Sequence, residues 1–392
     1  MKITKNTCTG CGACAAVCPR RCIQMKADHW GQLTPCADEN NCIHCGLCTK
    51  TCPQNSPPAR NYPMDCYAAW STCPDDHVHS ASGGAAASFA RYQLTRNAAV
   101  YGCDYDENGE LRHFRLFDEP DIRRMQSSKY SQSDASGGFG EIKVLLEQDR
   151  SVVFISTPCQ VAGLLRFLKK DYATLVTVDL ICHGAPPNEY LKQHLAELGL
   201  NAPYQKIRFR GEYDQMLSVW KDNEIVYQKD RTEDEYFIAF YENMISYDSC
   251  STCQYACPER ISDITIGDFW GLGQLRQIEP RSARPSIILV NTEKGRTFFD
   301  KARCNLICEQ RDVMEGVRGN GRLIQPPGKN YKASLFRWIY RIPTIGFRRC
   351  VRIVSRIGKA VGAVSRFMAV LKELKSVFLR KITNTLKGRI ES

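Results

Sequence analysis

Residues 8–19 read CTGCGACAAVCP, and residues 42–53 read CIHCGLCTKTCP. Both are Cys-x2-Cys-x2-Cys-x3-Cys-Pro, one pattern stated twice. Three cysteines spaced two residues apart wrap a tight loop around one face of a metal cluster, and the fourth ligand must come from elsewhere. In the duplicated pattern the last cysteine of each run serves the other cluster. Cys8, Cys11, Cys14 and Cys52 are therefore expected to hold one 4Fe–4S cluster, and Cys42, Cys45, Cys48 and Cys18 a second. Zinc also binds CxxC pairs, but it needs neither the third step nor the x3-Cys-Pro ending, and both occur twice here. Cys22 and Cys36 are surplus to the eight.

Residues 1–60 resemble the bacterial two-cluster ferredoxins, with no departure at the eight ligand positions. The resemblance implies a small α+β module. Such a module moves single electrons but does not choose a substrate, so that choice is expected downstream.

Ten of the 21 cysteines of this 392-residue chain lie before residue 53. The amino terminus shows no apolar leader, and no apolar run approaches the ~18 residues of a membrane span. A cysteine-rich chain of this kind is expected in the reducing cytoplasm, with its cysteines as metal ligands or redox thiols. Hydrophobic residues make up 43% and charged residues 24%, as in ordinary globular proteins. The net charge of +11 is unevenly placed. Residues 331–392 hold 15 Lys and Arg against 2 acidic residues, a net +13, which leaves the rest of the chain at −2. A near-neutral body argues against nucleic acid as a partner.

Between the module and the basic tail, residues 61–330 read as alternating strands and helices, with a seam expected near 150–200. AAVYGCDY (98–105), SVVFIS (151–156) and TLVTVDLI (174–181) have the composition of strands. The second is followed by a helical pattern, VAGLLRFLKK, and the third by CHGAPP and another helix. This βαβα order predicts an α/β body with a mainly parallel sheet. QKIRFRG, MLSVWKD and EIVYQKD predict short antiparallel strands, and DITIGDFW and SIILVNT two more.

Cys159 follows one buried strand in STPCQ (156–160), and Cys182 follows the next in CHG (182–184). If the two strands are parallel neighbours, both cysteines lie on the ligand-binding edge of the sheet. With Cys250 and Cys253 they supply four soft ligands, enough for a third 4Fe–4S cluster. Burial as small apolar side chains is the alternative for Cys159 and Cys182. Cys257 competes as a ligand, because Cys250-x2-Cys253-x3-Cys257-Pro258 imitates half of the amino-terminal motif. SASGG (80–84) and SGG (136–138) each precede a helix and suit a phosphate or plain helix capping. Lys129 in SKYSQS (128–133) is a charge that can join such a site, or a solvated lysine. His183 is a candidate general acid or a structural histidine. Asp268, after a strand, faces a ligand or caps a turn.

The ordered set of module, SxSGG, SKYxQS, TPCQVAGL, DLICHG and CxxC with SDITIGDFWG resembles the coenzyme F420 hydrogenase/dehydrogenase beta-subunit family, in its bacterial form with a fused ferredoxin. That form is often seen beside surface-polysaccharide genes. The resemblance spans about residues 1–330. It implies a flavoprotein oxidoreductase with FAD, served by 4Fe–4S clusters and a protein electron donor such as ferredoxin, acting on a small organic or deazaflavin-like substrate. It makes Cys159, Cys182, Cys250 and Cys253 the ligands of a cluster in the body, and Ser82, Gly83, Gly84 and Lys129 the flavin candidates. Ser156 departs from the family, which usually has glycine before TPCQ. A non-enzymatic electron-transfer subunit that docks on a partner enzyme is the competing reading.

In the tail, residues 331–392, Arg348, Arg349, Arg352, Arg356, Lys359 and Arg366 crowd one side of a helical projection, and Ile353, Ile357, Val361, Val364, Met368 and Leu371 another. A basic amphipathic helix suits the anionic inner face of a membrane. Docking on a partner or on the body is the other expectation.

Overall fold

In the computed structural model, which describes residues 7–210, 215–277 and 284–361, the two cysteine runs fold alike. Each begins a short helix, Ala13–Ala16 or Leu47–Thr51, at a left-handed glycine, Gly12 (φ 78°) or Gly46 (φ 72°). Only glycine takes that conformation without strain, and it turns the chain between the second and third cysteine of each run. Between the runs lies a hairpin of β1 (Ile23–Ala27) and β2 (Leu33–Ala37). A Cβ on Gly12 would collide with Ser136 of the body, so the glycine also lets the module approach it.

The body is built on one eight-stranded sheet. Its strands are β3 (Asp65–Ser71), β4 (Ala99–Tyr105), β5 (Leu111–Leu116), β6 (Val152–Ser156), β7 (Leu175–Leu180), β11 (Ile264–Asp268), β12 (Ser286–Val290) and β13 (Leu306–Arg311), in the order β13-β3-β12-β11-β7-β6-β4-β5. The centre, β11-β7-β6-β4, is parallel. The four outer ladders are antiparallel, so the sheet is mixed rather than mainly parallel. DITIGD and SIILV pair antiparallel with each other, and β3, β5 and β13 extend the sheet. The sheet continues across residues 150–200 without a break.

Every residue of β6 and of β12 is buried, as expected for strands covered on both faces. On β6, Val153 packs on one face with Phe89, Val178, Ile288 and Phe298. Its neighbours Val152 and Phe154 pack on the other with Phe139, Ile142, Val161 and Leu164. The helices Ala85–Leu94 and Glu293–Ala302 supply the first layer, and Ser136–Glu147 and Pro158–Leu168 the second.

Separate from this sheet, β8 (Lys206–Arg208), β9 (Met216–Lys221) and β10 (Glu224–Asp230) form the expected antiparallel sheet, in the order β10-β9-β8.

Residues up to Asn330 form one compact unit and those from Tyr331 a second. In the second unit, the helix Tyr331–Tyr340 sets Phe336 edge-on to Phe347, with centroids 5.8 Å apart. Phe347 opens a helix that runs to residue 361, with Cys350, Val351 and Val354 buried and Ile357 and Val361 exposed. Val364, Arg366, Met368 and Leu371 lie outside the described residues. Among the described residues no helix is long and apolar enough to cross a membrane.

Candidate redox site

Cys8, Cys11, Cys14 and Cys52 line one small cavity of about 20 Å³, which is the grouping expected from the spacing. Burial pushes the Cys11 thiol up to about 12, and the neighbouring thiols of Cys8 and Cys52 add to it. The N–H groups of Gly10, Ala13 and Ala15 point at Cys8, Cys11 and Cys14 respectively. Four facing thiols with amides turned to their sulfurs, and no cation among them, fit an iron–sulfur cluster.

Cys18, Cys42 and Cys48 gather beside Ile23, while Cys45 is exposed. Against the effect of burial, the N–H groups of Cys22, Arg20 and Ile23 hold the Cys18 thiol below its usual value. Cys22, surplus to the motif, lies 3.4 Å from Cys18 and within reach of Cys42. Cys36 is exposed on β2. This second set is the outer one: Ile43, beside Cys42, is 59% exposed.

In the body, β6 and β7 are parallel neighbours, with Ser156 opposite Asp179. That register brings Cys159, in the first turn of the helix Pro158–Leu168, beside Cys182 just beyond β7. The thiols of Cys182, Cys253 and Cys250 all raise Cys159, after burial itself. Burial also pushes Cys182 up to about 11 and Cys250 up to about 12. The Gly184 N–H reaches the Cys182 sulfur at 3.4 Å, and the Tyr255 and Ala256 amides aim at Cys253. The donor set again fits a cluster. The Cys257 thiol lies close enough to Cys253 to raise it, and it donates to the carbonyls of Gln254 (3.5 Å) and Glu259 (3.2 Å) and accepts from Arg60 (3.2 Å).

Two residues that sequence reasoning missed hold this centre. Gln160, fully buried, accepts from Ser156 (2.7 Å) and Thr157 (2.8 Å) and donates to the Ser133 carbonyl (2.7 Å), which fixes the turn that carries Cys159. Arg260 ties the CxxC loop to β7. It donates to Asp179 (2.9 Å), Thr265 (3.1 Å) and the Tyr255 carbonyl (2.7 Å). The strings TPCQ and CPER carry no sign of these roles, because the partners that tie the two loops to the rest of the fold, Ser133 and Asp179, are 27 and 81 residues away.

The first thiol set abuts the body set. Space is tight enough that a Cβ on Gly163 would lie 3.1 Å from the Cys11 sulfur. Tyr255, buried, feels Cys159, Cys11 and Cys253. Tyr247, also buried, feels Cys8 and Cys250, and its hydroxyl accepts the Leu33 N–H at 2.7 Å. Two tyrosines thus stand between the inner set of the module and the set in the body.

Cys182 and His183 also line a cavity of about 450 Å³ at the carboxyl ends of β6, β7 and β11, a volume within the usual range for a ligand or cofactor. Ser82 and Gly84 line it at the start of the helix Ala85–Leu94, where Gly84 is left-handed (φ 85°). Ser82 shares a hydrogen bond of 2.9 Å with Ser286. Gly83 does not line the cavity. A Cβ there would strike the Ala69 carbonyl, so close packing on β3 accounts for this glycine. Lys129 lines the cavity, but its ammonium caps a helix, donating to the carbonyls of Arg124, Met125 and Gln126 at 2.6–2.8 Å. The SGG at 136–138 lies elsewhere, at the start of a helix whose Ser136 bonds Asp134 at 2.6 Å. Burial, with Arg322 and Arg210 nearby, lowers the His183 pKa against the pull of Asp268. His113 Nδ1, Ser127 Oγ and Arg210 Nη1 are buried without a partner among the described residues, and all three side chains line the cavity.

Residues 149–315 match the family model for the C terminus of the coenzyme F420 hydrogenase/dehydrogenase beta subunit, and residues 7–56 match that of the 4Fe-4S dicluster domain. No curated protein matches. Among solved structures, the chain is similar to one from the xenon-derivatized F420-reducing [NiFe] hydrogenase complex of Methanosarcina barkeri. The identity is 15%, over 66% of this chain and 90% of that one, with a TM-score of 0.45.

Proposed function

We propose that this chain, which belongs to the coenzyme F420 hydrogenase/dehydrogenase beta-subunit family and carries a 4Fe–4S dicluster domain at its amino terminus, is an iron–sulfur flavoenzyme that exchanges electrons between a partner protein and a small organic or deazaflavin-like molecule. The carrying observation is the order of the sites in space. A partly exposed thiol set, with Cys45 exposed, leads to a mostly buried one, the second abuts a third set in the body, and Cys182 of that third set lines the large cavity. We divide the chain accordingly into residues 1–60, 61–330 and 331–392. The eight motif cysteines hold the two clusters of the module, and Cys159, Cys182, Cys250 and Cys253 hold a third. FAD is the cofactor assigned to the cavity.

A flavin supplies the means to pool single electrons into a two-electron step. The protein's part is to hold and exclude. The imidazole of His183 stands where it can hold or pass a proton at the cavity wall. Gln160 and Arg260 keep the third thiol set in register with that wall, and the packed tyrosines keep water out of the junction with the module. The partly exposed outer set favours encounter with a ferredoxin-like protein in the cytoplasm. The same feature supports the second reading, an electron-transfer subunit whose chemistry occurs in its partner. Basic residues on the helix after Phe347 support peripheral contact of the tail with an anionic membrane face.

Anaerobic purification followed by iron, sulfide and flavin assays on one sample tests the proposal. About twelve irons and one FAD per chain is the expected result, at four irons per cluster. About eight irons and no flavin would overturn the flavoenzyme reading and leave the electron-transfer subunit.

A further inference from the structure

Arg210 is nearly buried, with its side chain 6% exposed. Its Nη2 donates to Asp268 at 2.7 Å and its Nε to the Tyr130 hydroxyl at 3.0 Å. Nη1 has no partner among the described residues, on a side chain that lines the large cavity. A buried guanidinium N–H left unpaired is costly, and such a group in a cavity wall is a site awaiting an acceptor.

The charge around it is one-sided. Arg210, Arg231 and Lys129 line the cavity, and Asp268 is its one carboxylate among the described residues. The strand that leads to Arg210 adds more. Lys206 and Arg208 flank the buried Ile207 and so share one face of the strand, and the chain then bends at Phe209, also buried, before Arg210. Burial, with Arg208 close by, pulls Lys206 down to about 8. Burial also lowers Arg208, whose guanidinium bonds His79 at 3.1 Å. Asp104 faces Lys206 and Arg208 and lies 3.8 Å from Lys129, so it offsets part of this charge, whereas Arg210 pairs with Asp268. Asp268 holds the guanidinium fork in place and leaves one edge of it open.

We propose that Arg210 is an anion anchor: its open edge takes a phosphate or carboxylate carried by a molecule bound in the cavity. This deepens the reading of the cavity as a cofactor and substrate site. The anion has two sources, the pyrophosphate of the flavin or an acidic group on a second molecule. Guanidinium pairs with either oxyanion through two parallel N–H donors.

The test uses full-length, iron-replete protein prepared anaerobically, as wild type, as Arg210→Lys, and as Arg210→Gln combined with Asp268→Asn. The double variant removes both charges together, so no buried carboxylate is left alone. Calorimetry measures binding of inorganic pyrophosphate, FAD and riboflavin. The expected result is a loss of pyrophosphate affinity of roughly tenfold or more in the double variant, with a smaller loss in Arg210→Lys, which keeps the charge without the fork. If FAD binding falls in parallel while riboflavin binding does not, and FAD blocks pyrophosphate, the anion is the flavin's own. If FAD and riboflavin bind all three proteins alike, and FAD-loaded wild type still binds pyrophosphate, the anion belongs to a second molecule. Equal pyrophosphate binding by wild type and the double variant, or none by either, overturns the proposal. The pyrophosphate arm reads out even in protein that binds no flavin, so it separates failure of this site from failure of the flavoenzyme reading.

Discussion

Replacing Arg260 with Gln removes the cation that ties the CxxC loop to the sheet. Arg260 is 2% exposed and Asp179 not at all, with 2.9 Å between them. The second carboxylate oxygen of Asp179 has no hydrogen-bond partner among the described residues. Burial already pushes the Asp179 pKa up, and Arg260 is the main influence that opposes it. Without the guanidinium, Asp179 becomes a buried charge with no counterion, and the carbonyl of Tyr255 loses its donor. Breaking a buried pair from one side costs about 3–5 kcal/mol. At a urea slope of about 3 kcal/mol per molar, that lowers the unfolding midpoint by about 1 M or more. The variant also frees the loop that bears Cys250 and Cys253, so the iron of one cluster, about four atoms, is expected to be lost while the module keeps its own. Anaerobic urea unfolding followed by tryptophan fluorescence, with an iron assay, reads both effects. Arg260→Gln with Asp179→Asn relieves the stranded charge and should recover at least ~1 kcal/mol of the loss. If Arg260→Gln keeps the wild-type midpoint within about 0.3 M and holds full iron, the keystone role assigned to this pair is wrong.

The remaining predictions concern pH and ligand identity. His113 is half-buried on the cavity wall with its Nδ1 out of contact with solvent, and loss of hydration pushes its pKa down to about 4. The unfolded chain takes up that proton near pH 6.5, so the stability due to the neutral imidazole is complete above that pH and is lost as pH falls towards 4. Between pH 7 and pH 5 the wild type should lose about 2 kcal/mol that His113→Gln does not lose, read as the difference in urea midpoints, and parallel pH dependence in the two proteins would refute it. Cys257→Ser should keep the iron of the module's two clusters and of the proposed third, whereas Cys253→Ser should lose that of the third. The opposite ranking in an iron assay would make Cys257 the ligand.

Much of the candidate site was legible because its determinants are local. The Cys-x2-Cys-x2-Cys-x3-Cys-Pro spacing predicts which thiols share a centre, and Cys8, Cys11, Cys14 and Cys52 do line one cavity. The βαβα pattern predicts that Cys159 and Cys182 meet, and the β6–β7 register brings them together. What was hidden depends on tertiary packing. The strand DCYAAWS (65–71) has small residues where the pattern looks for branched ones, because the Gly83 turn and the helix Val313–Gly319 press against it. LRHFRL and LICEQR lie at the sheet edges, where Arg112 and Glu309 reach towards solvent and Arg311 turns inward to pair with Glu315, which blurs the alternation. Lys129 reads as a free charge until the end of the helix Glu119–Met125 is seen to take all of its protons. Arg210 was visible only as one more basic residue in a strand. The run of three cations in K-I-R-F-R was the available signal.

The tyrosine-packed junction between the module and the body bears on how the protein keeps time. Tyr247 is hydrogen-bonded to the hairpin of the module, and Gln132 and Arg166 donate to the carbonyls of Thr9 and Lys50 at 3.0 and 3.1 Å. A domain stitched down in this way does not swing between a loading and an unloading position. Tunnelling across a dry, fixed gap is indifferent to solvent viscosity, so internal electron flow should proceed at the same rate in buffer and in concentrated sucrose. Under the proposed function, thickened solvent would then slow only the encounters at the two ends of the chain of sites.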